Sequence, residues 1–511
     1  MDNASVEVLY SNTEQVCYDE NNRRYTDEMY RFSVLEAGEG LHVKIRCAGE
    51  KAAFYALCEI NERLRDGTLS AGEYVNAPAF AVRGYIEGFY GTPWTHDQRL
   101  NMMLCMAKHR MNTVYYAPKD DIYHREKWRD LYPAEELEKL RELLGTARSC
   151  HMDLYWCLAP GLSICYTSPA DFSALLSKYD QLYSAGFHRF GLLLDDIGET
   201  LAYREDTEAY AEPVNAHIDL ICRVYDALKK KDPGIRLTVC PTQYNGRGDE
   251  YYISKLGQNI PPEVSLFWTG RDICSREIGF TEALKFTECT CHRPLYWDNY
   301  PVNDEAMLHE MHLGPLIGRD KELHRFAGGL ISNCMQYAEC SKIPLITAAD
   351  YLWNGPRYDP ESAWKKAVAE VVGDQNAASF LLFADQLRTS CLQDENAPEL
   401  AALFHELERA RAGGDAEQIN MIKSGYLLRA RECLLFLERD LPICRELARW
   451  TKKFRFSVQI TEKLLDWICD KQNTALKNEI ETLIEAYERD PAVCVNAMLF
   501  REVLLNRFAV N

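Results

Sequence analysis

The chain has 511 residues and a mass of 58.8 kDa, with 47% hydrophobic and 26% charged residues. That composition excludes a disordered, collagenous or purely coiled-coil protein and fits about three domains, or one large barrel with additions. Its 58 Lys and Arg stand against 77 Asp and Glu, a formal charge of -19, which disfavours non-specific binding to nucleic acid or an anionic membrane.

Residues 1 to about 78 mix strand-like runs, Val6-Glu7-Val8-Leu9-Tyr10 and Leu41-His42-Val43-Lys44-Ile45, with a helical stretch from Glu50 to Arg65. Ala53, Phe54, Leu57, Ile60 and Leu64 recur in that stretch at helical spacing, and Asp66-Gly67 stops it. A small α/β domain is expected. From about 79 to 355, short apolar runs alternate with longer helical ones. The runs are Val82–Ile86, Thr113–Tyr116, Leu154–Leu158, Phe190–Leu194, Leu237–Cys240, Val264–Trp268, Pro294–Trp297 and Gly329–Ser332. Eight strands over this length predict a (β/α)8 TIM barrel. An open doubly wound sheet is the alternative, although no Gly-rich phosphate loop follows any run.

After Pro360 the strand pattern ends. Ile419 to Asp440 and Val458 to Cys469 show 3.6-residue periodicity, interrupted around them at Gly413-Gly414, Pro442 and Pro491. The region 356–511 reads as a C-terminal helical bundle. Its stripes, Leu434, Leu435 and Leu437, then Leu464, Leu465 and Trp467, are expected in the core.

The 19 cysteines are scattered through apolar runs and include no CxxC pair. Cys289-Thr290-Cys291-His292 is too tight for a zinc knuckle and has no second pair. Reduced packing thiols, no metal and no cofactor are expected. Met1-Asp2-Asn3-Ala4-Ser5-Val6 shows no signal-peptide pattern, and no apolar stretch is long enough to span a membrane. The expectation is a cytoplasmic protein, with a secreted parent lacking its leader left open.

In a barrel the active site lies at the C-terminal ends of the strands. Reading onward from each run gives Glu87-Gly88-Phe89-Tyr90, Ala117-Pro118-Lys119-Asp120-Asp121, Asp195-Asp196, Pro241-Thr242-Gln243-Tyr244, Thr269-Gly270, Asp298-Asn299 and Asn333. Hydrogen-bonding side chains between aromatic walls, without a histidine cluster, suit a neutral polyol such as a sugar. The sharpest feature is Asp195-Asp196 after three leucines. Neighbouring carboxylates push each other's pKa values apart, which is the division that acid/base catalysis uses. A loop cap is the bland reading. Asp120-Asp121 leads into a charged segment expected to be helical, where capping or solvation is favoured. Consecutive strand residues start toward opposite faces, which serves an ordinary two-carboxylate retaining glycosidase poorly. The pair fits better if the substrate brings its own nucleophile, as a 2-acetamido sugar does.

The segments Arg83 to Trp94, Tyr116 to Asp121, Leu194 to Ile197, Cys240 to Tyr244, Phe267 to Gly270 and Trp297 to Asn299 together resemble glycoside hydrolase family eighty-four, the O-GlcNAcases and bacterial β-N-acetylglucosaminidases. The resemblance covers about residues 80 to 355, and the flanking regions resemble that family more loosely. It implies retaining, metal-free hydrolysis of terminal GlcNAc from glycoproteins or glycans, assisted by the acetamido group through an oxazoline. By the same resemblance Asp195 polarises the acetamido N–H, and Asp196 is the general acid and then the base. Tyr244 and Asn299 grip the N-acetyl group or the aspartate pair. Gly88, Lys119, Asp304 and Asn333 hold sugar hydroxyls, Trp297, Thr269 and Ile273 line the acetyl pocket, and Tyr90 is a further substrate-binding residue. Ser332-Asn333-Cys334 lacks the proline that often follows that asparagine in the family.

Two other readings stand beside this one. A Schiff-base lyase would use Lys119 as nucleophile, yet Asp120 and Asp121 adjoin it, unlike the desolvated or cationic setting such lysines have. A catalytically silent GlcNAc-binding module would have no need of both Asp195 and Asp196. Physiological substrate lies beyond the pocket residues, and the helical region could serve as a homodimer surface.

Overall fold

The structure is a computed structural model that describes residues 4–10, 28–37, 40–393 and 395–505; Cys17 lies outside them. The N-terminal region forms a four-stranded sheet of β1 (Ala4–Tyr10), β2 (Tyr30–Ala37), β3 (Gly40–Cys47) and β4 (Gly72–Asn76), in the order β1-β3-β2-β4. β1 runs parallel to β3, and β2 is antiparallel to β3 and β4. Alternation sets its inner face: Tyr30, Phe32 and Val34 on β2 and Val43, Ile45 and Cys47 on β3 are buried. The helix Glu50–Arg65 covers them with Ala52, Ala53, Tyr55, Ala56 and Ile60, its first turn acidic and its last turn basic as the helix dipole favours.

The next eight strands are β5 (Val82–Glu87), β6 (Thr113–Tyr116), β7 (Asp153–Leu158), β8 (Arg189–Leu193), β9 (Arg236–Cys240), β10 (Ser265–Trp268), β11 (Pro294–Asp298) and β12 (Gly329–Asn333). All pair in parallel, and β12 returns to β5 with Gly329 opposite Val82 and Asn333 opposite Ile86. The barrel is therefore closed, which decides against the open sheet. Both faces of each strand are buried, so the strands read as unbroken apolar runs. Ile86, Tyr115, Cys157, Leu193, Phe267, Trp297 and Ile331 fill the interior. Their neighbours Tyr85, Val114, Trp156, Leu192, Trp268 and Leu330 pack outward among the surrounding helices.

Two 22-residue helices, Ala416–Leu437 and Ala448–Cys469, carry the two periodic stretches of the C-terminal region. Gly414, at φ 69°, ends the preceding helix Pro398–Gly413, and Asp415 caps the next by accepting from Gln418 N. Leu437, Leu464, Leu465 and Trp467 are buried as expected. Leu435 is not: it points outward and is 64% exposed, because the buried face runs through Cys433, Phe436 and Leu437. Glu446 ties this region to the barrel by accepting the backbone N–H groups of Glu339 and Cys340, at the start of the helix Ala338–Asn354. Among the described residues no helix is long and apolar enough to cross a membrane. Nor do they include a group of three or more His, Cys, Asp or Glu placed to hold a metal ion.

Candidate active site

Every site residue read from the sequence lines one cavity of about 460 Å³ at the C-terminal end of the barrel. Gly88 and Tyr90 follow β5, Lys119 follows β6, Asp195 and Asp196 follow β8, and Tyr244 follows β9. Thr269 and Ile273 follow β10, Trp297 is the last residue but one of β11 with Asn299 and Asp304 beyond the strand, and Asn333 ends β12.

Strand alternation alone would send the two aspartates to opposite sides. The barrel holds the chain in register one residue past β8, with Leu194 N donating to Cys240 O at 2.8 Å and Thr242 Oγ1 donating to Leu194 O at 2.7 Å. The backbone then breaks: Asp196 adopts φ 52°, the left-handed region that aspartate tolerates better than most side chains. This turn brings both carboxylates to one cation, with Lys119 Nζ 3.7 Å from Asp195 Oδ2 and 3.8 Å from Asp196 Oδ2. Asp195 is nearly buried, whereas Asp196 is 32% exposed toward the mouth.

Two phenols grip Asp196. Tyr90 donates to Oδ2 at 2.7 Å and Tyr244 to Oδ1 at 3.2 Å. Burial and then Asp196 push the Tyr244 hydroxyl well above its ordinary range, so it stays a donor. Burial likewise raises Tyr90, against the pull of Lys119. Burial works to discharge Lys119, but Asp195, Tyr90 and Asp196 outweigh it and raise its pKa, so the amine stays cationic. A lysine held in this way is a poor Schiff-base nucleophile.

The floor is a second polar network. Asn299 Oδ1 accepts from Trp297 Nε1 at 3.0 Å and Asn333 Nδ2 at 2.9 Å, while its own Nδ2 donates to Ile273 O at 2.7 Å. Asn299 therefore braces the cavity wall and makes no hydrogen bond to either aspartate, contrary to one of the two expectations for it. Asn333 Oδ1 accepts from Gly88 N at 3.2 Å, and Asp304 Oδ2 accepts from Tyr90 N at 2.7 Å. Burial, reinforced by Glu305, raises the Asp304 carboxyl. The Thr269 hydroxyl is turned into its own loop, donating to Asp272 O at 2.8 Å. Ile273 is 53% exposed at the rim.

The segment after Lys119 is a series of turns, not the expected helix. Asp121 organises these turns by accepting from Tyr123 N and from the hydroxyls of Tyr116 and Tyr132. Arg125 emerges from them to donate to the Tyr90 hydroxyl at 3.2 Å. It was missed because an arginine in a charged stretch carries no signal of its own. Cys240, Cys274 and Cys391 also line the cavity. Cys240 could have been found, since it ends an inward-facing strand; Cys391 arrives from the C-terminal region and could not.

A family model described as β-N-acetylglucosaminidase matches residues 83–385. The protein O-GlcNAcases of Rattus norvegicus and Mus musculus are each 31% identical over 285 residues, a stretch covering 54% of this chain and 31% of theirs. The chain thus matches less than a third of the length of these curated relatives. Among solved structures, a mutant of the Thermobaculum terrenum O-GlcNAc hydrolase superposes with a TM-score of 0.75 at 30% identity, covering 84% of this chain and 95% of that one. The protein named CpGH84B gives 0.79 at 26% identity, covering 93% and 86%.

Proposed function

This chain belongs to glycoside hydrolase family eighty-four, the β-N-acetylglucosaminidase family, and from that premise we propose that it removes terminal β-linked GlcNAc from glycoconjugates with retention of configuration. The observation that carries this reading is the convergence of Asp195 and Asp196 on one cavity around Lys119. Asp195, nearly buried, accepts the acetamido N–H and makes the acetamido carbonyl oxygen more nucleophilic. That oxygen bonds to the anomeric carbon as the glycosidic C–O bond breaks. The bonding pair goes to the leaving oxygen, which takes the proton of Asp196. Asp195 takes up the acetamido N–H proton as the ring closes, so that a neutral oxazoline results, and returns the proton to nitrogen when the ring opens. Asp196, now a carboxylate, removes a proton from water as the water oxygen attacks the anomeric carbon and the oxazoline C–O bond opens. The hydroxyls of Tyr90 and Tyr244 steady that carboxylate, and Lys119 balances the charge of the pair.

Relatives named O-GlcNAcase and O-GlcNAc hydrolase support protein-linked GlcNAc as the substrate. The test is leaving-group dependence. Asp196→Asn should lose at least about a hundredfold on an alkyl GlcNAc glycoside but far less on an activated aryl glycoside, which needs little protonation. Equal loss on both would remove Asp196 from the acid role. Turnover indifferent to replacing the N-acetyl group by N-trifluoroacetyl would remove the acetamido group from the mechanism.

A further inference from the structure

Arg125 reaches the aspartate pair through Tyr90. Its guanidinium donates to the Tyr90 hydroxyl at 3.2 Å, and that hydroxyl donates to Asp196 Oδ2 at 2.7 Å. The guanidinium carbon also sits 6.0 Å from the centre of the Tyr90 ring. Arg125 forms no ion pair among the described residues, although Asp195, Asp196, Asp304 and Glu305 line the cavity that Tyr90 also lines. Its charge is committed to a neutral phenol. An arginine can only donate, so the lone pair of the Tyr90 oxygen faces Arg125 and the phenolic proton is left for Asp196. A phenol that receives a cationic donor also gives its own proton to an acceptor more strongly, because the hydrogen bonds polarise one another.

We propose that Arg125 is a positioning residue for proton delivery, acting on Asp196 through the Tyr90 hydroxyl. The inference rests on the acid role of Asp196 proposed above. As Asp196 surrenders its proton to the leaving oxygen a carboxylate develops, and the Arg125-polarised hydroxyl binds that carboxylate better than it binds the neutral acid. An interaction that strengthens only as the reaction proceeds raises turnover and leaves binding alone. The other groups facing this point have different partners or positions. Lys119 Nζ lies 4.8 Å from the Tyr90 ring centre and neutralises the pair, and Tyr244 takes the other Asp196 oxygen. Asp304 accepts the Tyr90 backbone N–H, and Cys240 lies in the wall below the pair.

The experiment compares Arg125→Met, Arg125→Lys, Tyr90→Phe, the Met/Phe double variant and Asp196→Asn on an alkyl and a dinitrophenyl β-GlcNAc glycoside. Arg125→Met should lower kcat about tenfold on the alkyl glycoside and by less than about twofold on the aryl one, with KM unmoved. Arg125→Lys should recover most of that loss, and the double variant should be no worse than Tyr90→Phe, because the two side chains act in series. Equal loss on both glycosides, additive losses in the double variant, or a change confined to KM would each overturn the proposal. Should Arg125→Met fail to fold, Arg125→Gln keeps a neutral donor and should give a smaller loss of the same selectivity. If Asp196→Asn is itself indifferent to the leaving group, the acid reading falls and takes this one with it. If Asp196→Asn is selective and Arg125→Met is not, only the role of Arg125 falls.

Discussion

A left-handed backbone at Asp196, φ 52°, admits glycine, asparagine and aspartate readily and most other residues at a cost of about 1 kcal/mol or more. Asp196→Asn should therefore retain about 1 kcal/mol more stability than Asp196→Ala, read as a difference in denaturant midpoint at equal slope; equal midpoints would mean that the turn stores no strain. Gly88 is constrained by space rather than by backbone angle. A Cβ there would sit 2.6 Å from Trp297 Cζ2 and 3.2 Å from Asn333 Oδ1. Trp297 Nε1 is bonded to Asn299 and its ring packs edge-on against Phe267, so the indole has little room to yield. Gly88→Ala should displace it into the cavity and cut kcat/KM by about a hundredfold, the size of effect expected of a displacement near 1 Å. Retained activity would show that the wall is softer than its contacts imply.

At the scale of elements, what the sequence revealed and what it hid divide along a physical line. The eight barrel strands were legible because a strand buried on both faces must be apolar throughout, and Asp195 and Asp196 were legible because charge directly after such a run is costly unless used. The left-handed turn at Asp196 was not, since aspartate is compatible with several backbone conformations. The turns carrying Arg125 were read as helical because charged residues are common to both. Nor did periodicity place Leu435, one residue outside the buried face of its helix. Between the helices Asp374–Asp385 and Pro398–Gly413 lies a titration that patterning could not announce. Asp385 accepts the backbone N–H groups of Glu399 and Leu400, and burial pushes its carboxyl up to about 7. Arg388, 3.6 Å away, does not reverse this because it is shared with Glu361 at 2.7 Å and Glu395 at 2.5 Å. In the unfolded chain this carboxyl ionises near about 4. Between about pH 4 and 7 the folded chain then holds the extra proton, and stability falls as pH rises through that window. Asp385→Asn should flatten the fall, so that its midpoint gains on the native protein between pH 5 and 8. Parallel pH profiles would refute this assignment.

Across the whole molecule, the two flanking regions hold different parts of the barrel and should fail differently. Glu28, before β2, pairs with Arg83 at the start of β5 at 2.7 Å and with Lys51 at 2.5 Å. Burial would raise Glu28, but Arg83 and Lys51 overcome it and hold the carboxyl at about 2. Arg83 is 1% exposed, so Glu28→Ala strands a buried cation and should cost about 3 kcal/mol of stability. Because Arg83 opens β5 at the end remote from the cavity, kcat/KM measured below the melting range should stay unchanged. The helical region instead grips the loop that carries Asp304. Trp450 Nε1 and Val493 N both donate to His309 O, and Cys391 N donates to Glu310 Oε1. Trp450→Phe should loosen that loop and raise KM about threefold with little change in kcat, the consequence of losing one ordinary hydrogen bond.

Cys391 in the cavity wall also has a meaning in time. In order of synthesis the eight barrel strands are all present once β12, ending at Asn333, has been made, and both aspartates precede that point. The rim waits for residue 391, and the grip on the Asp304 loop waits for Trp450 and Val493. In chain order the two aspartates therefore precede the residues that finish the pocket wall and hold its loop.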